Sequence, residues 1–160
     1  MDRRHYRKIL DKLVVKNFPK LRKRIIFLNK GKILWLDCFA AVVYFVFFSW
    51  IFVNPKMDKL PKNQVEAVLA HELSHLDIIA NKNIFEKIYF GLNWIFTKKG
   101  KINFERDSDL LAIKKGYGKG LFDRVKGIEK KYSKDKLKKR KSRGYLDSKQ
   151  IKYYIRKFKK

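Results

Sequence analysis

The sequence predicts an α+β fold in which a small mixed or antiparallel sheet packs on helices. Three observations support this prediction. Runs rich in Val, Ile, Phe, Tyr and Trp fill much of residues 22–54, and this composition is typical of strands. Beyond residue 60, apolar residues recur mainly at helical spacing. The chain has 160 residues, 46% of them hydrophobic, so it is long enough for one hydrophobic core but short for two.

The first expected strands form a hairpin. Residues 24–28 and 33–36 are apolar and flank residues 29–32, whose glycine can supply a turn. Residues 33–53 are also a long apolar run with a single charge, so they are a candidate membrane span. The uncharged part, residues 38–53, is short for a span and rich in β-branched and aromatic side chains. Strands are therefore favoured, and a span is the alternative.

The expected helices are delimited by capping residues and by glycines. Pro61 can occupy the first turn of one helix, Asn103 can cap another, and Gly116 can end it. Asp147 or Ser148 can cap a basic terminal helix. Helical periodicity predicts helices over residues 3–16, about 61–80, 84–96, about 103–115, 121–131 and from about 148 to the C-terminus.

The chain is strongly basic, with 41 Lys and Arg against 15 Asp and Glu, a formal net charge of +26. Such an excess attracts nucleic acid, anionic lipid or acidic protein surfaces, although a solvated basic surface explains it equally well. The basic residues 134–160 carry interleaved aromatics, which suits binding of single-stranded nucleic acid. A basic nucleic-acid-binding or acidic-surface-binding protein with a non-catalytic metal site is therefore the alternative function.

Cysteine content and the N-terminus bear on the compartment. Cys38 is the single cysteine, so no disulfide can form within the chain. Residues 1–16 are basic but lack the apolar segment and cleavage site of a secretory signal. The sequence predicts a cytoplasmic protein, with a membrane-anchored protein as the alternative if residues 33–53 cross a bilayer.

Residues 71–75 read His-Glu-Leu-Ser-His, in the middle of a predicted helix. Side chains at positions i and i+4 project from one helical face, so His71 and His75 can present their imidazole nitrogens to one Zn²⁺ ion. Glu72 lies in the same sector, where it can take a proton from the attacking water. Because the chain has only three histidines, a chance match to this motif is improbable.

A catalytic zinc needs a third protein ligand. His5 is far upstream, and positions 78 and 81 are Ile and Asn, so a third histidine near the motif is absent. Glu105 is the best candidate, on the helix over about 103–115. Asp109 lies four residues later on the same face and can orient a ligand histidine. The alternative is that these carboxylates merely complement the positive end of a helix, which is how Asp107 is interpreted.

Three segments together resemble the gluzincin zinc metallopeptidases of the HtpX-like type. They are residues 65–75 (VEAVLAHELSH), 105–109 (ERDSD) and 115–118 (KGYG), and the resemblance covers about residues 54–122. The chain is most similar to the small archaeal minigluzincins. By this resemblance His71, His75 and Glu105 are zinc ligands, Glu72 is the general base and Asp109 supports a histidine. It also implies an edge strand that aligns the substrate, and the possibility of a latent enzyme.

The expected function is accordingly a zinc-dependent endopeptidase acting on a protein or peptide. Residues 1–132 are expected to form the catalytic domain, and residues 133–160 a basic tail or helix that can hold the enzyme latent. Self-association, nucleic-acid binding and membrane binding through residues 33–53 are left open as partner classes. The group that stabilises the oxyanion is not determined by the sequence, and the candidates are Tyr117, Arg143, Tyr145 and Tyr153.

Overall fold

A computed structural model describes residues 2–31, 38–45, 47–80 and 82–159. It confirms the α+β prediction. A three-stranded mixed sheet lies in the N-terminal third of the chain, and helices make up most of the rest. The strands are β1 (Ile25–Lys30), β2 (Ala40–Tyr44) and β3 (Phe48–Val53).

The last strand in sequence is the central strand of the sheet, because the spatial order is β1-β3-β2. β1 runs parallel to β3, with Ile25 opposite Phe48, and β2 runs antiparallel to β3, with Ala40 opposite Val53. β1 continues through Lys30, so it extends two residues into the predicted turn. The predicted strand over residues 33–36 lies outside the described residues.

The helices follow the predicted order, with one further helix, over residues 134–141, that the sequence pattern did not predict. Two short 3₁₀ turns, at Pro19–Leu21 and Pro55–Lys59, join elements in the first half. The α-helices are α1 (Arg3–Asn17), α2 (Lys62–Ala80), α3 (Ile84–Phe96), α4 (Lys98–Ala112), α5 (Gly118–Lys131), α6 (Lys134–Lys141) and α7 (Ser148–Phe158).

Two helix boundaries show which capping signals decide the local structure. α4 begins at Lys98, earlier than predicted, because the Thr97 hydroxyl accepts a hydrogen bond from the backbone N–H of Gly100 at 2.8 Å. Residues 98–101, which precede the predicted start of this helix, are therefore its first turn. At its other end α4 stops at Ala112, earlier than predicted, and a π-helical turn over Ile113–Tyr117 follows, in which Gly116 takes a φ of 96° that suits glycine. α7 begins after Asp147, as predicted.

Helix α2 lies at the centre of the molecule, where it packs against α1, α4, α5 and β2. Residues 67–77 of this helix are all buried. The C-terminal segment also enters this core through Leu146 and Ile151, and α7 packs on α5. The motif of residues 71–75 is thus enclosed between a sheet edge and several helices, and a buried position limits its access to water.

No helix in the described part of the chain is long and apolar enough to cross a membrane. Within residues 33–53, the described residues 38–45 and 47–53 contain β2 and β3. The strand prediction is confirmed there.

Candidate metal centre

Helix α2 brings the two motif histidines together. His71 and His75 are one turn apart, and their Nε2 atoms lie 3.1 Å from each other. Both side chains are buried, and their rings meet edge to face. The adjacent Ser74 hydroxyl donates back to the carbonyl of Ala70 at 2.8 Å, so this hydroxyl is satisfied within the helix. The two imidazoles therefore face one point beside α2.

Helix α4 supplies a third donor atom at the same point. Glu105 Oε2 lies 3.3 Å from His71 Nε2 and 3.7 Å from His75 Nε2. The ligand atoms of the three residues all lie within 4.8 Å of one another. This group could hold a metal ion. Sequence reasoning selected all three residues, although they come from two helices separated by α3.

Asp109 holds the outer nitrogen of His71. Its Oδ1 lies 2.9 Å from His71 Nδ1, and its Oδ2 accepts a hydrogen bond from the backbone N–H of Leu146 at 3.1 Å. The carboxylate is almost completely buried. A carboxylate at Nδ1 keeps the proton on that nitrogen and leaves Nε2 free to bind a metal. This is the position that the sequence analysis assigned to Asp109.

Ser108 holds the outer nitrogen of His75 and was missed by the sequence analysis. Its Oγ lies 2.7 Å from His75 Nδ1, and the residue is completely buried. A signal was available, because positions 105, 108 and 109 share one face of a helix. A buried serine on the face that carries Glu105 could therefore have been proposed as a histidine partner.

The two histidines have opposite electrostatic environments. Burial disfavours the charged form of His71, but hydrogen bonding and the charges of Asp109 and Glu105 outweigh burial and raise its pKa to about 10. Burial and the neighbouring charge of His71 lower the pKa of His75 to about 3. Although burial opposes it, His71 also lowers the pKa of Glu105. The Asp109 and Glu105 carboxylates therefore make this part of the site favourable for positive charge.

Glu72 is buried beside this group, with 7% of its surface exposed. Burial raises the pKa of its carboxyl to about 7, with opposing contributions from His71 and Arg124 and a further raising contribution from Glu105. A carboxyl with a pKa near neutrality can both accept and return a proton at physiological pH. Its place on α2, next to His71, suits such a role.

Of the four candidate oxyanion-stabilising residues, Tyr145 lies beside the metal-binding group. Its ring centroid is 6.2 Å from that of His71, and the Arg140 guanidinium stacks over the ring at 4.7 Å. Burial, followed by the charges of Glu105 and Glu72, raises the pKa of the Tyr145 hydroxyl, which therefore stays protonated. A protonated hydroxyl can donate a hydrogen bond to developing negative charge.

The other three candidates lie elsewhere. Tyr117 donates its hydroxyl to Asn17 Oδ1 at 2.7 Å, on the side of α1. Arg143 is exposed in the segment between α6 and α7, and Tyr153 is exposed and packs on Tyr154. None of the three has a contact with the metal-binding group among the described residues.

An aromatic wall closes one side of the site. The Phe104 ring lies 4.3 Å from that of His75, and Phe90 of α3 packs edge to face on Phe104 at 4.8 Å. Apolar rings around a charged site exclude water and strengthen its electrostatic interactions.

The chain matches no protein-family model, no curated protein and no solved structure. The described residues bring together two imidazole nitrogens and one carboxylate oxygen that could hold a metal ion.

Proposed function

We propose that the chain is a zinc-dependent metalloendopeptidase of the gluzincin type. The observation that supports this most is the convergence of His71, His75 and Glu105 within 4.8 Å. Glu72, the expected general base, is buried beside this group on the same helix. A catalytic zinc site has three protein ligands and one open position, and two histidines with a glutamate are one of its known ligand sets.

The donor set fits zinc chemically. The Oε2 atom of Glu105 is buried between the Nε2 atoms of His71 and His75, at 3.3 and 3.7 Å, so a cation placed there would bind all three atoms. Asp109 and Ser108 lie at the Nδ1 atoms of the two histidines, which leaves both Nε2 atoms directed at the same point. His71, His75 and Glu105 would hold the ion. Zinc bound there would polarise the scissile carbonyl and acidify a water molecule.

Glu72 would perform the proton transfers. Its carboxylate would remove a proton from the water as that oxygen attacks the peptide carbonyl carbon. The same proton would then pass from the carboxylic acid to the departing amine when the C–N bond breaks. Burial raises the pKa of this carboxyl, which makes its carboxylate a stronger base than that of an exposed glutamate.

Tyr145 would stabilise the negative charge that develops on the substrate carbonyl oxygen. Its hydroxyl is held beside the site through the ring contacts with Arg140 and His71. A single donor of this kind contributes about 10²–10³-fold to kcat in well-studied hydrolases. Tyr145→Phe keeps the ring and removes only the hydroxyl.

The experiment that tests the proposed function compares Glu72→Gln with wild type. Glu66→Gln is the matched control, since Glu66 lies on the same helix outside the site. We expect wild type to contain one zinc per chain and to cleave casein. Glu72→Gln should keep zinc and lose about 10²–10⁴-fold in rate. Zinc content is measured by atomic emission and cleavage by release of labelled peptides.

Three results would contradict the proposal. Wild-type protein that binds no zinc with both histidines and Glu105 intact excludes the metal role. Iron bound in place of zinc would exclude a zinc peptidase, because two histidines and one carboxylate also hold non-haem Fe(II). Unchanged cleavage by Glu72→Gln excludes Glu72 as the base.

The C-terminal segment can either complete the site or keep it latent. Leu146 contacts Asp109, and Tyr145 lies beside His71, so this segment forms part of the wall of the site. Tyr145→Phe separates the two roles. A lower kcat with unchanged KM indicates an oxyanion donor, whereas higher activity indicates that the side chain restrains the enzyme.

The alternative function is binding of nucleic acid, favoured by the net charge of +26 and the exposed lysines of α6. Binding through phosphates gives a steep fall in affinity with salt. A flat salt response to single-stranded DNA would remove this alternative.

A further inference from the structure

Helix α3 directs six large apolar side chains away from the protein. Phe85 is 80% exposed, Phe96 77% and Tyr89 72%. The outer face of α3 consists of six large side chains that are each at least half exposed, namely Ile84, Phe85, Ile88, Tyr89, Leu92 and Phe96. A cluster of this kind on a small protein marks an interaction surface.

The outer face is continuous. At 100° per residue, its six side chains fall within an arc of about 140° around the helix axis. The opposite side of α3 is already occupied, because Phe90 packs on Phe104 and the backbone at Asn93 is closely approached by Gly100 of α4. Helix α3 therefore cannot bury its outer face by rotating about its axis.

The charges around the outer face favour an anionic partner. Residues 82–101 contain five lysines and one acidic residue, Glu86. The Glu86 carboxylate accepts a hydrogen bond from the backbone N–H of Asn83 at 2.7 Å, as part of the helix cap. Lys98 and Lys99 are exposed directly after the helix. A second copy of this chain, at +26, would place the same lysines against one another.

The length of α3 favours a helix that lies on a membrane surface over one that crosses the membrane. The 13 residues of α3 extend about 20 Å, which is shorter than the apolar thickness of a bilayer, about 30 Å. A helix with one apolar face and flanking lysines lies in the interface of an anionic membrane, with its apolar side chains among the acyl chains.

We propose that the outer face of α3 docks the protein on the surface of an anionic lipid bilayer. The aromatic and aliphatic side chains enter the bilayer, and the lysines at the two ends of the helix contact lipid phosphates. The aromatic contacts from Phe90 through Phe104 to His75 would then place the metal centre close to the membrane surface. This docking is independent of the proposed peptidase activity, because it uses no residue of the metal-binding group.

The test is flotation of the full chain with lipid vesicles. One set contains phosphatidylcholine alone and the other phosphatidylcholine with phosphatidylglycerol. The variant Ile88→Gln/Leu92→Gln removes two side chains near the centre of the outer face and keeps good helix formers. Val15→Gln is the control, since Val15 is an exposed aliphatic residue of similar exposure on α1.

We expect wild type and Val15→Gln to float with the anionic vesicles and to bind neutral vesicles at least tenfold more weakly. Ile88→Gln/Leu92→Gln should lose tenfold or more in affinity for anionic vesicles, since burial of one such side chain is worth roughly that factor. Circular dichroism and zinc content should stay unchanged in the variant.

Four results would overturn the proposal: no flotation of wild type, equal binding to neutral vesicles, unchanged binding by the variant, or equal loss in Val15→Gln. Sedimentation velocity tests the alternative that a second copy of the chain covers the outer face. A wild-type dimer that the variant converts to a monomer, with no flotation, would assign the outer face to a second copy of the chain.

Discussion

Helices α2 and α3 follow one another in the chain, and both are rich in apolar residues, but the molecule uses them in opposite ways. Residues 67–77 of α2 are buried, including the motif histidines and Glu72. Helix α3 packs chiefly on α4 and leaves its apolar face outside. The difference comes from the neighbours of each helix, since α2 has packing partners on several sides. Apolar content therefore predicts a helix here, but not its burial.

The largest expected difference between the two helices is in how much a Leu→Ala substitution lowers the free energy of unfolding. Leu73 of α2 is completely buried, whereas Leu92 of α3 is half exposed. Leu73→Ala should lower the free energy of unfolding by about 2–5 kcal/mol, because it leaves a cavity in the core. Leu92→Ala should change it by less than about 1 kcal/mol. Urea unfolding followed by circular dichroism measures both.

The two leucine variants are matched controls for each other, since the chemical change is identical. Equal destabilisation would mean that α3 is covered in solution, for example by a second copy of the chain. Repeating the measurement over a range of protein concentrations identifies that case, because only an associated state depends on concentration.

Much of the fold follows from local signals. Asp147 sets the start of α7, and Gly116 marks the kinked turn between α4 and α5; both signals are visible in the sequence. The start of α4 was placed too late because Thr97 and Asn103 are both competent caps, and propensity does not choose between them. The parallel pairing of β1 with β3 was not predicted, since strand partners depend on the whole sheet.

In the candidate site, too, some features could be predicted from local sequence and others could not. His71, Glu72 and His75 lie within five residues of one helix, so helical geometry alone relates them. Glu105 required an argument by elimination. The contact of Tyr145 with His71 could not be predicted, since it depends on how the segment after α6 returns to α2. A contact between residues that lie 74 positions apart in the sequence is a property of the tertiary fold.

Glycines give a second contrast between the helices. A Cβ at Gly120 of α5 would overlap the carbonyl of Asn63 and lie 2.8 Å from the Cβ of Ala67, both on α2. Nothing lies within 4 Å of a Cβ at Gly91 of α3. Gly120→Ala should therefore destabilise the protein by about 1–3 kcal/mol through overpacking. Gly91→Ala should stabilise it by about 0.5–1 kcal/mol through helix propensity.

Thermal unfolding of the two glycine variants gives opposite signs if α2 is closely packed and α3 is open. Destabilisation by Gly91→Ala would show a neighbour on α3 that the contacts among the described residues lack. Stabilisation by Gly120→Ala would show that α5 can move away from α2 at little cost.

The finest contrast lies within α2, between its two histidines. His71 is held by the Asp109 carboxylate at 2.9 Å and His75 by the Ser108 hydroxyl at 2.7 Å. Asp109→Asn should weaken the proposed zinc binding about 10–100-fold, because residues that hydrogen-bond metal-ligating histidines have effects of this size. Ser108→Ala should weaken it less, about 2–10-fold, since a neutral hydrogen bond is worth less than one to a charged group.

Competition with a chelator measures both zinc affinities, and circular dichroism checks that α4 remains folded. Asn at position 109 retains one acceptor, but its other atom becomes a donor, so it cannot serve both His71 Nδ1 and the Leu146 N–H. A larger effect of Ser108→Ala than of Asp109→Asn would mean that orientation of His75, rather than charge beside His71, controls metal affinity. Equal and negligible effects would mean that α2 alone orients both rings, and that α4 contributes only Glu105.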